Sequence, residues 1–155
     1  MLHRREFLRD MGQGGILAAL LSSGLLTIPK AWAADRNQAA FAARTVEEAF
    51  AALGAGTPAA SDEITLEAPE IAENGAVVPV NVATSIAGAD AIAILVEKNP
   101  NALAAVTTIP AGTEAYVSTR VKMQQTSRVI ALVRAKGSFF MASKDVKVTL
   151  GGCGG

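Results

Sequence analysis

From Ile64 onward, hydrophobic and polar residues alternate with the two-residue period of β-strands. Across residues 115–123, Val117, Thr119, Val121 and Met123 occupy one set of alternate positions, and polar or aromatic residues occupy the other. Successive side chains of a strand point to opposite faces, so this pattern predicts a strand with one buried face. The same reasoning predicts that residues 78–82 form a strand with one valine face.

Turn signals divide the alternating region into short strands. Glycine, proline and asparagine clusters separate them about every 8–12 residues, the spacing typical of a β-sandwich. Pro79 within a predicted strand indicates an edge or a bulge, and residues 136–138 predict a tight hairpin. The expected fold is all-β, an immunoglobulin-like β-sandwich of about seven strands with an N-terminal helix. The predicted strands cover 64–67, 78–82, 91–96, 103–109, 115–123, 129–135, 139–141 and 146–150.

Before the strands, an alanine-rich stretch predicts helical structure. Residues 37–53 carry apolar side chains at helical spacing and read as one amphipathic helix. Thr45 followed by Glu47 and Glu48 also suits a helix that begins nearer Thr45, because acidic residues stabilise a helix N-terminus. The glycines and proline of residues 54–58 end the helix in either case.

The first residues of the chain resemble a twin-arginine export signal. Paired arginines precede a Phe-Leu pair and a further basic residue, and residues 12–28 form an apolar stretch of small residues. This signal directs export of an already folded protein to the periplasm of a bacterium. The residues that carry it are Arg4, Arg5, Phe7 and Leu8.

A cleavage signal follows the apolar stretch. Ala31 and Ala33 flank Trp32 in a small-x-small pattern, so we expect cleavage after Ala33. The alternative, an uncleaved membrane anchor, is disfavoured because the stretch is short for a spanning helix and diluted by glycine and serine. The expected organisation is a signal peptide at 1–33, a helix and linker at 34–60, a β-sandwich at 61–150 and an arm at 151–155.

Removal of residues 1–33 changes the available chemistry. The full chain has 14 basic and 14 acidic residues; the leader takes four basic and two acidic ones, which leaves ten against twelve and a formal charge of −2. That balance gives no basic stripe for nucleic acid. The only histidine also leaves with the leader, so a histidine-dependent nucleophilic site or a structural zinc site cannot be assembled. We expect no metal and no resident cofactor.

The end of the chain carries the single cysteine. Cys153 lies between two glycine pairs, three residues after Leu150. Because glycine readily adopts conformations closed to other residues, we expect a thin, mobile arm that extends roughly 10 Å past Leu150. An unpaired thiol is a liability in an oxidising compartment, which argues against an incidental cysteine. The residues that give the arm its flexibility are Gly151, Gly152, Gly154 and Gly155.

Three segments resemble the SoxY family, the sulfur carriers of the periplasmic thiosulfate-oxidising Sox system. They are ENGAVVPV at 73–80, STRVKM at 118–123 and VKVTLGGCGG at 146–155. The resemblance covers essentially the whole chain after the leader. It implies a non-catalytic protein in which Cys153 is the covalent attachment point for sulfur.

The resemblance also implies a set of partners. The carrier pairs with SoxZ, a second β-sandwich subunit, as a heterodimer. A c-type cytochrome enzyme joins thiosulfate to the thiol, a hydrolase releases sulfate and leaves a persulfide, and a molybdenum-haem sulfur dehydrogenase oxidises that sulfur in systems that contain one.

Other functions fit these residues less well. The lone thiol also suits an interaction or structural protein that forms intermolecular disulfides. A ubiquitin-like tail is disfavoured because its activation needs cytoplasmic ATP. An enzyme built on Glu114, Tyr116 and Arg120 is weaker, since these residues fit the outer side of a strand. Arg120 and Lys122 either guide anionic sulfur species or form a solvated strand face, the simpler interpretation.

Overall fold

A computed structural model describes residues 37–149, which form two helices and nine strands. None of these helices has the length and apolar character needed to cross a membrane. The helices are α1 (Gln38–Ala42) and α2 (Val46–Leu53), and the strands are β1 (Ala59–Ala60), β2 (Ile64–Glu67), β3 (Ile71–Ala72), β4 (Val78–Thr84), β5 (Ala89–Val96), β6 (Leu103–Thr108), β7 (Tyr116–Val121), β8 (Ser127–Ala135) and β9 (Ser138–Val148).

The strands form two sheets. The larger has the order β1-β9-β8-β5-β6, and β3 also pairs with β9; the smaller has the order β2-β4-β7. All pairings are antiparallel except those of β1 and β3, which run parallel to β9. The immunoglobulin-like sandwich expected from the sequence is confirmed: seven strands have four or more residues, and β1 and β3 are two-residue additions.

The main core lies between the sheets. Val78, Val80 and Val82 of β4 are fully buried, as their alternation predicts, and they pack with Ile92 and Ile94 of β5. The remaining buried members come from β2, β3, β5, β7, β8 and β9, and from Ile109 and Met123 just beyond β6 and β7. Burial of this valine- and isoleucine-rich layer removes apolar surface from water and holds the two sheets together.

Two prolines end the pairing of β2 with β4. Pro79 lies opposite Arg120 of β7 in a pair that exchanges no backbone hydrogen bonds. The backbone nitrogen of Pro79, which carries no hydrogen, therefore points away from β7 and towards the β2 side of the sheet. The β2–β4 register stops at Glu67 and Asn81; two residues further, it would place Pro69 opposite Pro79. Neither proline has an N–H to donate, so the ladder ends there. β4 is thus the central strand of the smaller sheet, but it has no β2 partner at Pro79.

The helical segment is broken into two helices. Ala43 has an extended ψ of 130° and ends α1. Thr45 then caps α2, with its hydroxyl accepting from the Glu48 N–H at 3.1 Å while the Glu48 carboxylate accepts from the Arg44 N–H at 2.9 Å. The single helix over 37–53 is therefore wrong, and the start at Thr45 is confirmed. Gly54, with φ of 74°, ends α2 in the left-handed conformation that glycine adopts without strain.

Both helices cover the outer face of the larger sheet. Ala40, Ala49 and Phe50 are buried against residues of β5 and β8 such as Leu95 and Leu132. As a result, β5 and β8 have core on both faces, one facing the smaller sheet and the other facing the helices. Phe139 and Met141 of β9 pack at the border of this second core.

The last two strands form one long hairpin. Lys136 and Gly137 have φ of 52° and 80°, as a two-residue turn of type I′ requires, and Ala135 pairs with Ser138 across it. The predicted hairpin is confirmed. The separate strands predicted at 139–141 and 146–150 are instead one strand, β9, which runs from the hairpin to Val148.

Candidate functional site

The thiol predicted to carry the chemistry lies outside the described residues. This applies to Cys153 and its flanking glycines Gly151, Gly152, Gly154 and Gly155, and to Leu150. The described residues also do not include the predicted export and cleavage residues, which are Arg4, Arg5, Phe7, Leu8, Ala31 and Ala33. The structure does describe the point from which the arm departs, Lys147 to Thr149, which we call the arm root.

The arm root is held on both sides of β9. On one side, the Lys147 N–H donates to the Glu70 carbonyl at 2.9 Å and the Thr149 N–H to the Ala72 carbonyl at 3.1 Å. On the other, the Val148 N–H donates to the Thr126 hydroxyl at 3.0 Å. The bonds fix the backbone of β9 up to Thr149, the last described residue.

The parallel strand β3 and its flanking residues provide the hydrogen-bond acceptors on the first of these two sides. Ile71 and Ala72 pair with Lys147 and Val148, so the segment after Pro69 runs beside the end of β9. The Thr149 hydroxyl adds a bond to the Glu73 carbonyl at 3.1 Å, just beyond β3. A side chain and three backbone donors therefore tie the arm root to the rigid body.

Polar contacts connect the arm root to the loops at the same end of the sandwich. The Met123 N–H donates to the Gly75 carbonyl at 2.6 Å. The Asn99 side chain donates to the Lys122 carbonyl at 2.6 Å and accepts from the Gln124 N–H at 3.2 Å. The loops at 73–75, 98–101 and 122–126 thus form one hydrogen-bonded group around the place where the arm departs.

The residues of the weaker enzyme hypothesis do not share a pocket. Arg120 lines a cleft beside β6, and neither Glu114 nor Tyr116 lines it. Tyr116 is half exposed on β7, and its N–H donates to the Glu114 carbonyl. Lys122, by contrast, lines the same cleft as Arg120. Within residues 37–149, no group of three histidine, cysteine, aspartate or glutamate side chains is placed to hold a metal ion.

Fold and site together define a β-sandwich whose last strand is followed by Thr149, held by hydrogen bonds four residues before Cys153 in the sequence. The family model described as "Sulfur oxidation protein SoxY" matches residues 49–153, more than half of the chain. The protein therefore belongs to the SoxY family. The match runs from the middle of α2 through both sheets to Cys153.

A solved structure agrees with this assignment. The chain is similar to the sulfur carrier protein SoxY from Chlorobium limicola f thiosulfatophilum, at 39% identity and a TM-score of 0.57. The similarity covers 64% of this chain and 93% of the other. A search of curated proteins finds no match.

Proposed function

We propose that this protein is a covalent carrier of sulfur intermediates, attached to Cys153, in thiosulfate oxidation. The observation that carries the proposal is the family match, which extends to Cys153 itself. The arm root supports it, because β9 is fixed up to Thr149 and the cysteine follows four residues later. The printed description of the Chlorobium protein, a sulfur carrier, agrees.

The carrier cycle begins with an oxidation at the thiol. The Cys153 sulfur forms a bond to the outer sulfur of thiosulfate, giving a cysteine S-thiosulfonate. One proton and two electrons are released, and a c-type cytochrome enzyme accepts the electrons. Water then attacks the sulfonate sulfur at a hydrolase, and the S–S bond to that sulfur breaks. Sulfate and two protons are released, and a persulfide anion remains on Cys153.

The partners supply the activation of the thiol in this scheme. A thiol with an ordinary pKa near 8.5 is only a few per cent thiolate at neutral pH. Residues 37–149 contain no histidine and no second cysteine that would act as a base or a resolving thiol. The protein itself acts as a non-catalytic subunit, inert in transit and reactive inside a partner's active site.

The same family relationship supports a proposal for the setting of the cycle. We propose a heterodimer with SoxZ in the periplasm, reached through the twin-arginine signal around Arg4 and Arg5. The cytochrome enzyme, the hydrolase and, where present, the sulfur dehydrogenase dock on it transiently. Because glycine has no side chain, the four glycines around Cys153 add no side chain that would block entry of the thiol into an active site.

Substitution of the cysteine tests the carrier role directly. The Cys153→Ser variant should fold with unchanged stability and lose all loading by thiosulfate in the presence of the partner proteins. Intact-mass spectrometry of the wild type should show a mass increase equal to two sulfur and three oxygen atoms. A matched control, Cys153→Ser combined with Ser138→Cys, places a thiol on the exposed hairpin and should not be loaded.

The same spectra separate the carrier from a disulfide-linked structural protein. Protein taken directly from thiosulfate-grown cells should carry sulfonate or persulfide adducts on Cys153. If that protein is instead a disulfide-linked dimer on a non-reducing gel and carries no adduct, the carrier function is wrong. Adducts on the Cys153→Ser variant would contradict the assigned attachment point.

A further inference from the structure

A cleft of about 360 Å³ lies between the free edges of the two sheets. β6 ends the larger sheet and β7 ends the smaller one, so both present an edge without a neighbouring strand among the described residues. The cleft is lined by the first residues of β6, the last residues of β7 and the loop before β6. It is therefore a gap in the side of the sandwich that polar loops border at one end.

The lining of the cleft is positively charged. Arg120 and Lys122 contribute two cations, and no acidic residue lines it. The two ion pairs formed within residues 37–149 join Arg128 to Glu97 and Arg134 to Asp90, so neither neutralises these cations. The other polar lining residues are Asn99, Asn101, Thr119 and Gln124. Cationic and amide donors in one concave site suit an oxyanion such as a sulfonate.

The arm root lies within reach of this cleft. The Val148 N–H bonds the Thr126 hydroxyl at 3.0 Å, and Gln124, a lining residue, is two residues from Thr126. Adding the covalent lengths on this path places the Cα atoms of Val148 and Gln124 within about 14 Å of each other. The five residues from Val148 to Cys153 span about 17 Å when extended. The length of chain beyond the arm root is sufficient for Cys153 to arrive at the cleft.

We propose that the cleft receives the arm of the same chain when Cys153 carries a sulfonate-terminated adduct. Arg120 and Lys122 bind the sulfonate oxygens, and the amide side chains beside them complete the site. This proposal rests on the carrier function, because only a loaded cysteine brings the anion. An arm with a free thiol has no sulfonate to offer and stays available for loading, whereas a loaded arm is shielded from stray thiols in transit.

A chemically loaded protein tests this docking without any partner enzyme. Tetrathionate converts the Cys153 thiolate to the S-thiosulfonate and releases thiosulfate, so atoms and charge balance without another oxidant. Backbone amide resonances of Ala104, Thr119 and Gln124 should shift on loading of the wild type. They should not shift in the Arg120→Gln/Lys122→Gln variant.

Shielding is measured by the rate at which a neutral water-soluble phosphine removes the adduct. Because the phosphine has no charge, loss of the two cations does not alter its approach electrostatically. The Arg120→Gln/Lys122→Gln variant should lose the adduct about fivefold faster than the wild type, because loss of two exposed charge contacts weakens binding by about that factor. High salt should raise the wild-type rate towards that of the variant.

The matched control removes one arginine and one lysine at the opposite end of β8. The Arg134→Gln/Lys136→Gln variant should release the adduct at the wild-type rate. Equal rates in all three proteins, together with unmoved cleft resonances, would overturn the proposal. So would cleft resonances that shift only when SoxZ is added, since the cleft would then be part of the heterodimer interface. Neither result bears on enzymatic loading, which the Cys153→Ser experiment tests separately.

Discussion

The arm root can be loosened without change to either hydrophobic core, by replacing Thr126 and Thr149 with valine. The Thr126→Val change removes the acceptor for the Val148 N–H, and the Thr149→Val change removes the donor to the Glu73 carbonyl. Valine has nearly the shape of threonine, so the substitution deletes the hydroxyls and little else. Both bonds are exposed to solvent, and each is expected to contribute about 0.5 kcal/mol, the low end for a protein hydrogen bond.

Together the two losses lower the free energy for opening the arm root by about 1 kcal/mol, which corresponds to about fivefold in the opening constant. Amide hydrogen exchange reports this directly at Lys147 and Thr149, whose backbone acceptors on Glu70 and Ala72 are retained. Their exchange should become about fivefold faster. The exchange rates of amides in the smaller sheet, such as that of Ala83, should not change if these amides exchange through openings in which the arm root stays closed.

The control is Thr108→Val, an exposed β6 threonine whose hydroxyl has no hydrogen-bond partner within residues 37–149. It should leave the exchange of Lys147 and Thr149 unchanged. The double variant should also lower Tm by a few degrees, as about 1 kcal/mol does in a domain of this size. If Tm falls while Lys147 and Thr149 exchange at wild-type rates, these hydroxyls do not hold the arm root and the account of its rigidity is wrong.

Three further variants test the scaffold and the arm separately. Ile94→Ala empties a site that is 1% exposed between the sheets and should lower the free energy of unfolding by about 2–5 kcal/mol in urea titrations. Val106→Ala, at 41% exposure, should cost less than about 1 kcal/mol, and equal losses would contradict the assigned core. Gly151→Val/Gly152→Val should leave stability unchanged but slow loading by the partner enzyme about tenfold, because misplacement of a reacting atom is costly. Unchanged loading kinetics would refute the access argument.

Alternation along the chain was sufficient to predict most of the sandwich. β4 and β7 follow the two-residue period because each has one face in the core, so their buried positions were assigned correctly. β1 and β3 were not predicted, because two residues carry no periodicity and their parallel partner is more than 70 residues away in the sequence. The continuity of β9 was missed because its middle, residues 142–145, is small or polar and only partly buried.

The candidate site could likewise be predicted from the sequence only in part. Cys153 could be singled out from the sequence, because it is the only cysteine and is surrounded by glycine. The cleft could not, since Asn99 and Lys122 approach each other only after the sheets are ordered and the 98–101 loop folds against β7. The exposed positions of Arg120 and Lys122 were correctly predicted by alternation. That pattern did not reveal that they face a concave surface without a carboxylate.

On the proposed function, the glycine composition of the arm sets the strength of partner binding. Fixing the backbone of one residue costs about 1–2 kcal/mol, and glycine is at the upper end. Ordering residues 151–155 in an active site would therefore cost about 5–10 kcal/mol. The whole binding free energy of a micromolar complex is about 8 kcal/mol, so insertion of the arm alone gives only weak association. A stiffer arm would bind each enzyme more tightly and leave it more slowly, and the cycle needs several successive releases.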